Sequence, residues 1–259
     1  MIESWSEGIA DDCMPEDILV ATLAAVRRHP WMHARAHLVL GLLNGLGVRP
    51  PSSVIEVGCG WGFNLTALEE AGYHVDGMDI SRRVLEKIDT PQRRLIVADV
   101  NQPLPPDAGR YDALLALDVI EHLDDDQGAV RHMRSLLRPG GAVIISVPAL
   151  PDLFSDFDRI QGHRRRYLPE TLRLAVESEE FEVLRIFWWG AWMVPLLRRM
   201  RRQNAAAAQK PRTYADYWRL PPWPAPPLFR LAYALEENRA VRGKLRTGTS
   251  LFAVLRSRS

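Results

Sequence analysis

With 259 residues, 47% of them apolar, the chain is long enough for one elaborated α/β domain or two small ones around a substantial core. Its 33 basic and 32 acidic side chains leave a formal net charge of +1, which excludes a global field that gathers DNA, RNA or an anionic membrane. Two cysteines, Cys13 and Cys59, exclude a disulfide framework and a Cys-rich zinc site, and they fit a reducing cytoplasm.

The first twelve residues, MIESWSEGIADD, are acidic and lack the basic and apolar regions of a secretory signal, so no export is expected. Residues 1 to 50 read as a mainly helical cap: Ile18, Leu19, Leu23 and Val26 recur at helical spacing, and a second helix runs from about His33 to Leu46. Pro50 and Pro51 then stop helix propagation. From Ser53 to about Ser146 short apolar runs alternate with amphipathic segments, the mark of βαβ units and a parallel sheet. Strands are expected at Ser53 to Val57, Tyr73 to Asp79, Arg94 to Asp99, Tyr111 to Leu117 and Ala142 to Val147, with Gly140 and Gly141 ending the helix before the fifth. A helix at Thr171 to Ser178 and strands at Phe181 to Trp188 and Ser250 to Leu255 complete seven strands.

Residues 190 to 247 suit no sheet. They hold the cluster Arg198 to Arg202, the alanines Ala205 to Ala208 and the prolines between Pro221 and Pro227, and read as a helical insertion with a loop. The arginine cluster is a solvated helix face or, following the apolar run Phe187 to Leu197, a peripheral membrane contact. That run is too short to span a bilayer.

The segment Val54-Ile55-Glu56-Val57-Gly58-Cys59-Gly60-Trp61-Gly62 is an apolar strand running into a loop with glycine at every second position, followed by the helical Asn64 to Glu70. Such glycines allow a tight turn and leave no Cβ to block a ligand lying on the backbone. Asp79 closes the next strand about twenty residues on, where a carboxylate can accept hydrogen bonds from both hydroxyls of a ribose. Asp99 closes the third strand, so Glu56, Asp79, Asp99 and Asp118 gather at the carboxyl edge of the sheet.

EVGCGWG, Met78-Asp79, Ala98-Asp99 and LDVIEHL at Leu117 to Leu123 together resemble the class I S-adenosylmethionine-dependent methyltransferases over residues 31 to 187 and again at the final strand. The resemblance implies a Rossmann-like, seven-stranded, mainly parallel sheet with an antiparallel last strand, helices on both faces and a helical insertion before that strand. It also implies S-adenosylmethionine as cofactor. By it the Gly58, Cys59, Gly60 and Gly62 loop lies against the methionine part, Asp79 with Ile80 holds the ribose, Asp99 with Val100 contacts the adenine, Asp118 sits near the amino-acid end, and Glu56 fixes the loop. His29 to Arg35 resembles the aromatic-arginine helix start of bacterial members linked to saccharide or lipid-linked glycan biosynthesis, where it would cover the cofactor. A nicotinamide dehydrogenase would separate its last two glycines by two residues, whereas Gly60 and Gly62 are separated by one.

Methyl transfer is an in-line displacement that needs alignment, water exclusion and, for a hydroxyl acceptor, removal of a proton. The residues expected to face the acceptor are Glu121, His122 and the stretch Pro148 to Tyr167, in which His163 offers a general base; a hydrogen-bonded Arg164 to Arg166 loop is the competing reading. Asp118, Glu121 and His122 could ligate a metal, but further ligands are not identifiable from spacing, and no metal site is assigned. The expected domains are a 1–50 cap, a core of 51–189 and 248–259, and a 190–247 acceptor-side insertion. The expected activity is O-methylation of a small or lipid-like acceptor, with an RNA methyltransferase and a non-catalytic S-adenosylmethionine-binding protein as alternatives. Oligomeric state is not legible.

Overall fold

The computed structural model describes residues 2–6, 22–23, 25–105, 111–206 and 225–258, without the side chains of 202–206. Cys13, Ile18, Leu19, Ala207, Ala208 and Pro221 lie outside the described residues. The strands are β1 Ile2–Ser4, β2 Ser53–Val57, β3 His74–Asp79, β4 Arg94–Val97, β5 Tyr111–Leu117, β6 Leu137–Pro148, β7 Phe181–Trp189 and β8 Ser250–Ser257. They form one sheet in the order β1-β4-β3-β2-β5-β6-β8-β7, in which β8 runs antiparallel to both its neighbours.

The helices are α1 Pro30–Gly45, α2 Phe63–Glu70, α3 Arg82–Ile88, α4 Asp126–Met133, α5 Asp156–Ile160, α6 Pro169–Val176, α7 Met193–Ala206 and α8 Ala225–Val241. Their starts follow from local chemistry. Pro30 occupies the first turn of α1, and the His29 imidazole accepts from the Trp31 N–H; Ser81 caps α3 through the Val84 N–H and Asp125 caps α4 through the Gly128 N–H. Both faces of the sheet are buried, as a parallel sheet requires. Leu114 and Ala116 of β5 belong to one apolar layer, Ala113, Leu115 and Leu117 to the other.

Two sequence expectations change. The seven expected strands are present, and an eighth, β1, lies in the stretch read as helical: Ile2, Glu3 and Ser4 pair in parallel with Leu95, Ile96 and Val97. Glu3 holds it there through a two-pronged pairing with Arg94, an interaction invisible to periodicity. The strand expected from Ala142 begins at Leu137, because a 3-10 turn at Arg134–Leu136 ends the helix early and the register shifts between Tyr111 and Ala113. The apolar run Phe187 to Leu197 divides between β7 and α7, with Phe187 and Trp189 inside the core. It is therefore not one continuous helix. In the arginine cluster, Arg198 pairs with Asp152 and Arg201 donates to the Ser155 hydroxyl.

The strand order reverses between β2 and β5, so the crevice beyond their carboxyl ends is the natural ligand position.

Candidate active site

β2 delivers the chain into a loop where Gly58, Gly60 and Gly62 have φ of 68°, 44° and 64°. The left-handed region costs an L side chain about 1–2 kcal/mol. Gly58 is constrained twice, because a Cβ there would lie 2.5 Å from Val119 Cγ2, on the segment following β5. Cys59 points into the core, and burial, with Asp79 and Glu56 nearby, raises its thiol so that it stays neutral. Its backbone, rather than its sulfur, is what faces the loop.

Asp79, at the end of β3, is buried; its two oxygens accept from the Gly60 N–H at 2.8 Å and the Ser81 N–H at 2.9 Å. The acid and the glycine loop are thus one hydrogen-bonded unit. Ile80 beside it is half-buried. Asp99 lies one strand further along the edge. Its Oδ1 accepts from the backbone and side-chain nitrogens of Asn101, and its N–H donates to Ser6 Oγ at 3.0 Å. Val100 is buried, and its carbonyl is 2.9 Å from His132 Nδ1. β4 and β3 are neighbours and β2 separates β3 from β5, so Asp99, Asp79 and Asp118 stand in that order along one edge.

Asp118 adopts φ of 59° directly after β5 and pairs with Arg35 Nη1, while Ser146 Oγ donates to its other oxygen. Arg35 is the residue that spacing left without a role. It sits on α1, buried, with its guanidinium 4.3 Å from the Trp31 ring centroid, so the helix expected to lie over the edge reaches it through one cation. Glu56 is wholly buried; Oε1 accepts from Asn64 Nδ2 at 2.6 Å, and burial, partly offset by Asn64 and Arg35, pushes its carboxyl up to about 7. Among the described residues, Arg35 Nε, Glu56 Oε2, Asn64 Oδ1 and both Glu121 oxygens are buried without a hydrogen-bond partner. Such atoms are few in native proteins, and these five, of nine among the described residues, are candidates for polar contacts to a ligand.

Beyond β5 a 3-10 turn, Ile120–His122, carries Glu121 and His122. Tyr167 pins the later loop beneath it, donating to Asp126 Oδ2 at 2.8 Å. His163 comes from that loop: its Nδ1 lies 3.2 Å from Asp158 Oδ1, its Nε2 3.9 Å from Glu121 Oε1, and its ring meets His122 edge to face at 4.7 Å. Sequence reasoning missed Asp158 as well. This carboxylate accepts from the Ser155 N–H and hydroxyl and from Arg166 Nε at 2.6 Å. Although burial opposes it, hydrogen bonds from His163 and Arg166 hold Asp158 below the usual carboxylate range. Burial, reinforced by Asp118, pushes the Glu121 carboxyl well up, and burial with His163 and Arg164 nearby lowers His122 to about 3. Arg164 donates to the His122 carbonyl and Arg165 to those of Leu123 and Asp124, so the arginines build the loop. Ligand atoms of Glu121, His122 and His163 lie within 4.8 Å of one another, a set that could hold a divalent cation. Its third member is His163, 41 positions past His122, and not the neighbouring Asp118 considered from spacing.

Residues 31–186 match the family model described as a methyltransferase domain. Among curated proteins, the malonyl-[acyl-carrier protein] O-methyltransferase of Pseudescherichia vulneris is 30% identical over 159 residues, 58% of this chain and 59% of that protein. The ubiquinone biosynthesis O-methyltransferase of Ralstonia nicotianae is 31% identical over 99 residues, 36% and 42% of the two chains. The chain thus spans about half the length of these relatives. Among solved structures, the Haemonchus contortus phosphoethanolamine N-methyltransferase 2 in complex with S-adenosyl-L-methionine aligns with a TM-score of 0.52 at 15% identity, over 97% of this chain and 61% of that one, a likeness of fold.

Proposed function

Because the chain belongs to the methyltransferase-domain family, whose cofactor is S-adenosylmethionine, we propose that it transfers a methyl group to an oxygen of a small or amphiphilic acceptor. The observation that carries this reading is the glycine loop tied to Asp79 through the Gly60 N–H, with the unpartnered buried atoms of Arg35, Glu56, Asn64 and Glu121 as candidates for further contacts. Those residues fit the cofactor. Asp79 stands at the end of β3 for the ribose, Asp99 stands at the adenine end, and Arg35 is the cation for a methionine carboxylate. When bound, the cofactor supplies an electrophilic methyl on a sulfonium.

The chain's own part is alignment and proton removal. Asp158, a carboxylate at any physiological pH, holds His163 Nδ1 and leaves Nε2 to receive the acceptor's proton. Burial disfavours the charged forms of both Glu121 and His122 beside Nε2. On this reading the described residues 190–206 and 225–247 lie on the acceptor side, where Trp192 packs against Tyr233. The relatives named as acting on an acyl carrier or in ubiquinone biosynthesis support an amphiphilic acceptor. No described helix is long and apolar enough to cross a membrane. Calorimetry with S-adenosylmethionine and S-adenosylhomocysteine tests the reading, and no binding of either would sink it.

A second reading is favoured by the unpartnered Glu121 oxygens: Glu121, His122 and His163 hold a divalent cation that orients the acceptor. The two exclude each other, since a ligating Nε2 has no lone pair for a proton. Metal analysis of dialysed protein separates them: about one bound ion per chain, lost in Glu121→Gln, supports the cation.

A further inference from the structure

The inner and outer faces of α8 have opposite character. On the inner face Tyr233 stacks on Trp189 at 4.6 Å, and Glu236 accepts from the N–H groups of Gly190, Ala191 and Trp192. Glu237 turns back to His37 of α1 at 2.9 Å. On the outer face Leu228, Leu231 and Leu235 are 56%, 54% and 69% exposed. Their spacing of three and four places them in one stripe, which continues into the exposed Arg239 and Arg242. Arg230 is exposed on another side of the helix, and Lys244 and Arg246 are exposed beyond its end. Glu236 and Glu237 are the only acids between 225 and 246, and both are engaged inward. Three exposed leucines and two exposed arginines therefore share one stripe that no carboxylate of α8 interrupts.

We propose that this face of α8 seats the protein on an anionic bilayer surface, the leucines entering the headgroup boundary and the arginines meeting lipid phosphates. Charge selects this occupant. A second copy packed in parallel would bring Arg239 and Arg242 against their own kind, and packed antiparallel would bury arginines against leucines. An anionic headgroup layer over an acyl boundary matches both halves of the stripe. Trp189 and Trp192, against the inner face of the helix, then lie one helix thickness from the lipid. The inference does not depend on the methyl-transfer reading.

Vesicle co-sedimentation of the full chain tests it, using phosphatidylcholine vesicles with and without 30 mol% phosphatidylglycerol, roughly the charge that gives a marked surface potential. Partition into the anionic vesicles is expected, falling as salt rises. The Leu228→Gln/Leu231→Gln/Leu235→Gln variant is expected to lose at least about tenfold in partitioning. Arg239→Gln/Arg242→Gln is expected to lose about 30-fold at low salt, from about 1 kcal/mol per cation near such a surface. Unchanged circular dichroism and unchanged S-adenosylhomocysteine affinity show that the variants fold. No partition at low salt, or equal partition of the leucine variant, overturns the proposal. So does a dimer on size exclusion that the leucine variant converts to monomer, since the face would then bind its own copy.

Discussion

Replacing Glu56 by glutamine isolates the cost of burying that carboxyl. Burial raises it from about 4.5 to about 7, against the opposing pull of the Asn64 hydrogen bond and Arg35. Between those values the folded protein holds a proton that the unfolded chain has released, so stability falls as pH rises through the interval and is fully present only below it. At about 1.4 kcal/mol per pH unit, the penalty reaches about 3 kcal/mol above pH 7. Glutamine keeps an oxygen for Asn64 and has no proton to lose. The stability of Glu56→Gln relative to the parent should therefore increase by about 2.5 kcal/mol between pH 5 and pH 8. His122 acts in the other direction, costing stability as pH falls below about 6.5, but it does so in both proteins and cancels in the difference. Urea unfolding of the ligand-free proteins, followed by tryptophan fluorescence at four pH values, gives the numbers. A parent-to-variant difference that stays flat from pH 5 to pH 8 refutes the reasoning.

Arg35→Met removes the cation paired with Asp118, and losing one charge-assisted hydrogen bond of about 1.5–3 kcal/mol should weaken S-adenosylhomocysteine binding about 10- to 100-fold in calorimetry; unchanged affinity would remove Arg35 from the site. His163→Asn should leave that affinity within about twofold while lowering single-turnover methyl transfer by about 10²–10⁴-fold, the span of a general base. Equal losses in both would make His163 structural. Gly58→Ala and Gly140→Ala share a left-handed φ, 68° and 74°, but only the former meets Val119. Thermal unfolding should show about 1 kcal/mol lost at Gly140 and clearly more at Gly58; equal losses would mean that Val119 yields.

The sheet was legible because its core strands are short apolar runs bounded by loop-forming residues, and Asp79, Asp99 and Asp118 announce their edge by that position alone. What eluded the sequence is pairing at a distance. Arg35 and Asp118 are 83 residues apart, and Glu236 reaches backbone N–H groups 44 to 46 residues before it. His163 and His122 were legible as candidates but not as neighbours, since their meeting depends on Tyr167 and Arg164 drawing the two loops together. Asp158 looked like one acid in an apolar run, and only its four donor contacts mark it. β1 was lost because three residues carry no period.

The seam between α1 and α8 bears on how such proteins can be recombined. Trp31 meets Trp189, which stacks on Tyr233; His37 pairs with Glu237, and Gly41 lies beneath the same carboxylate. The helix that carries Arg35 is thus keyed to α8. A chimaera that imports a foreign segment 190–247 has to import matching residues at 31, 37 and 41, and if the proposed roles hold, a mismatch there disturbs Arg35 and cofactor binding together with acceptor choice.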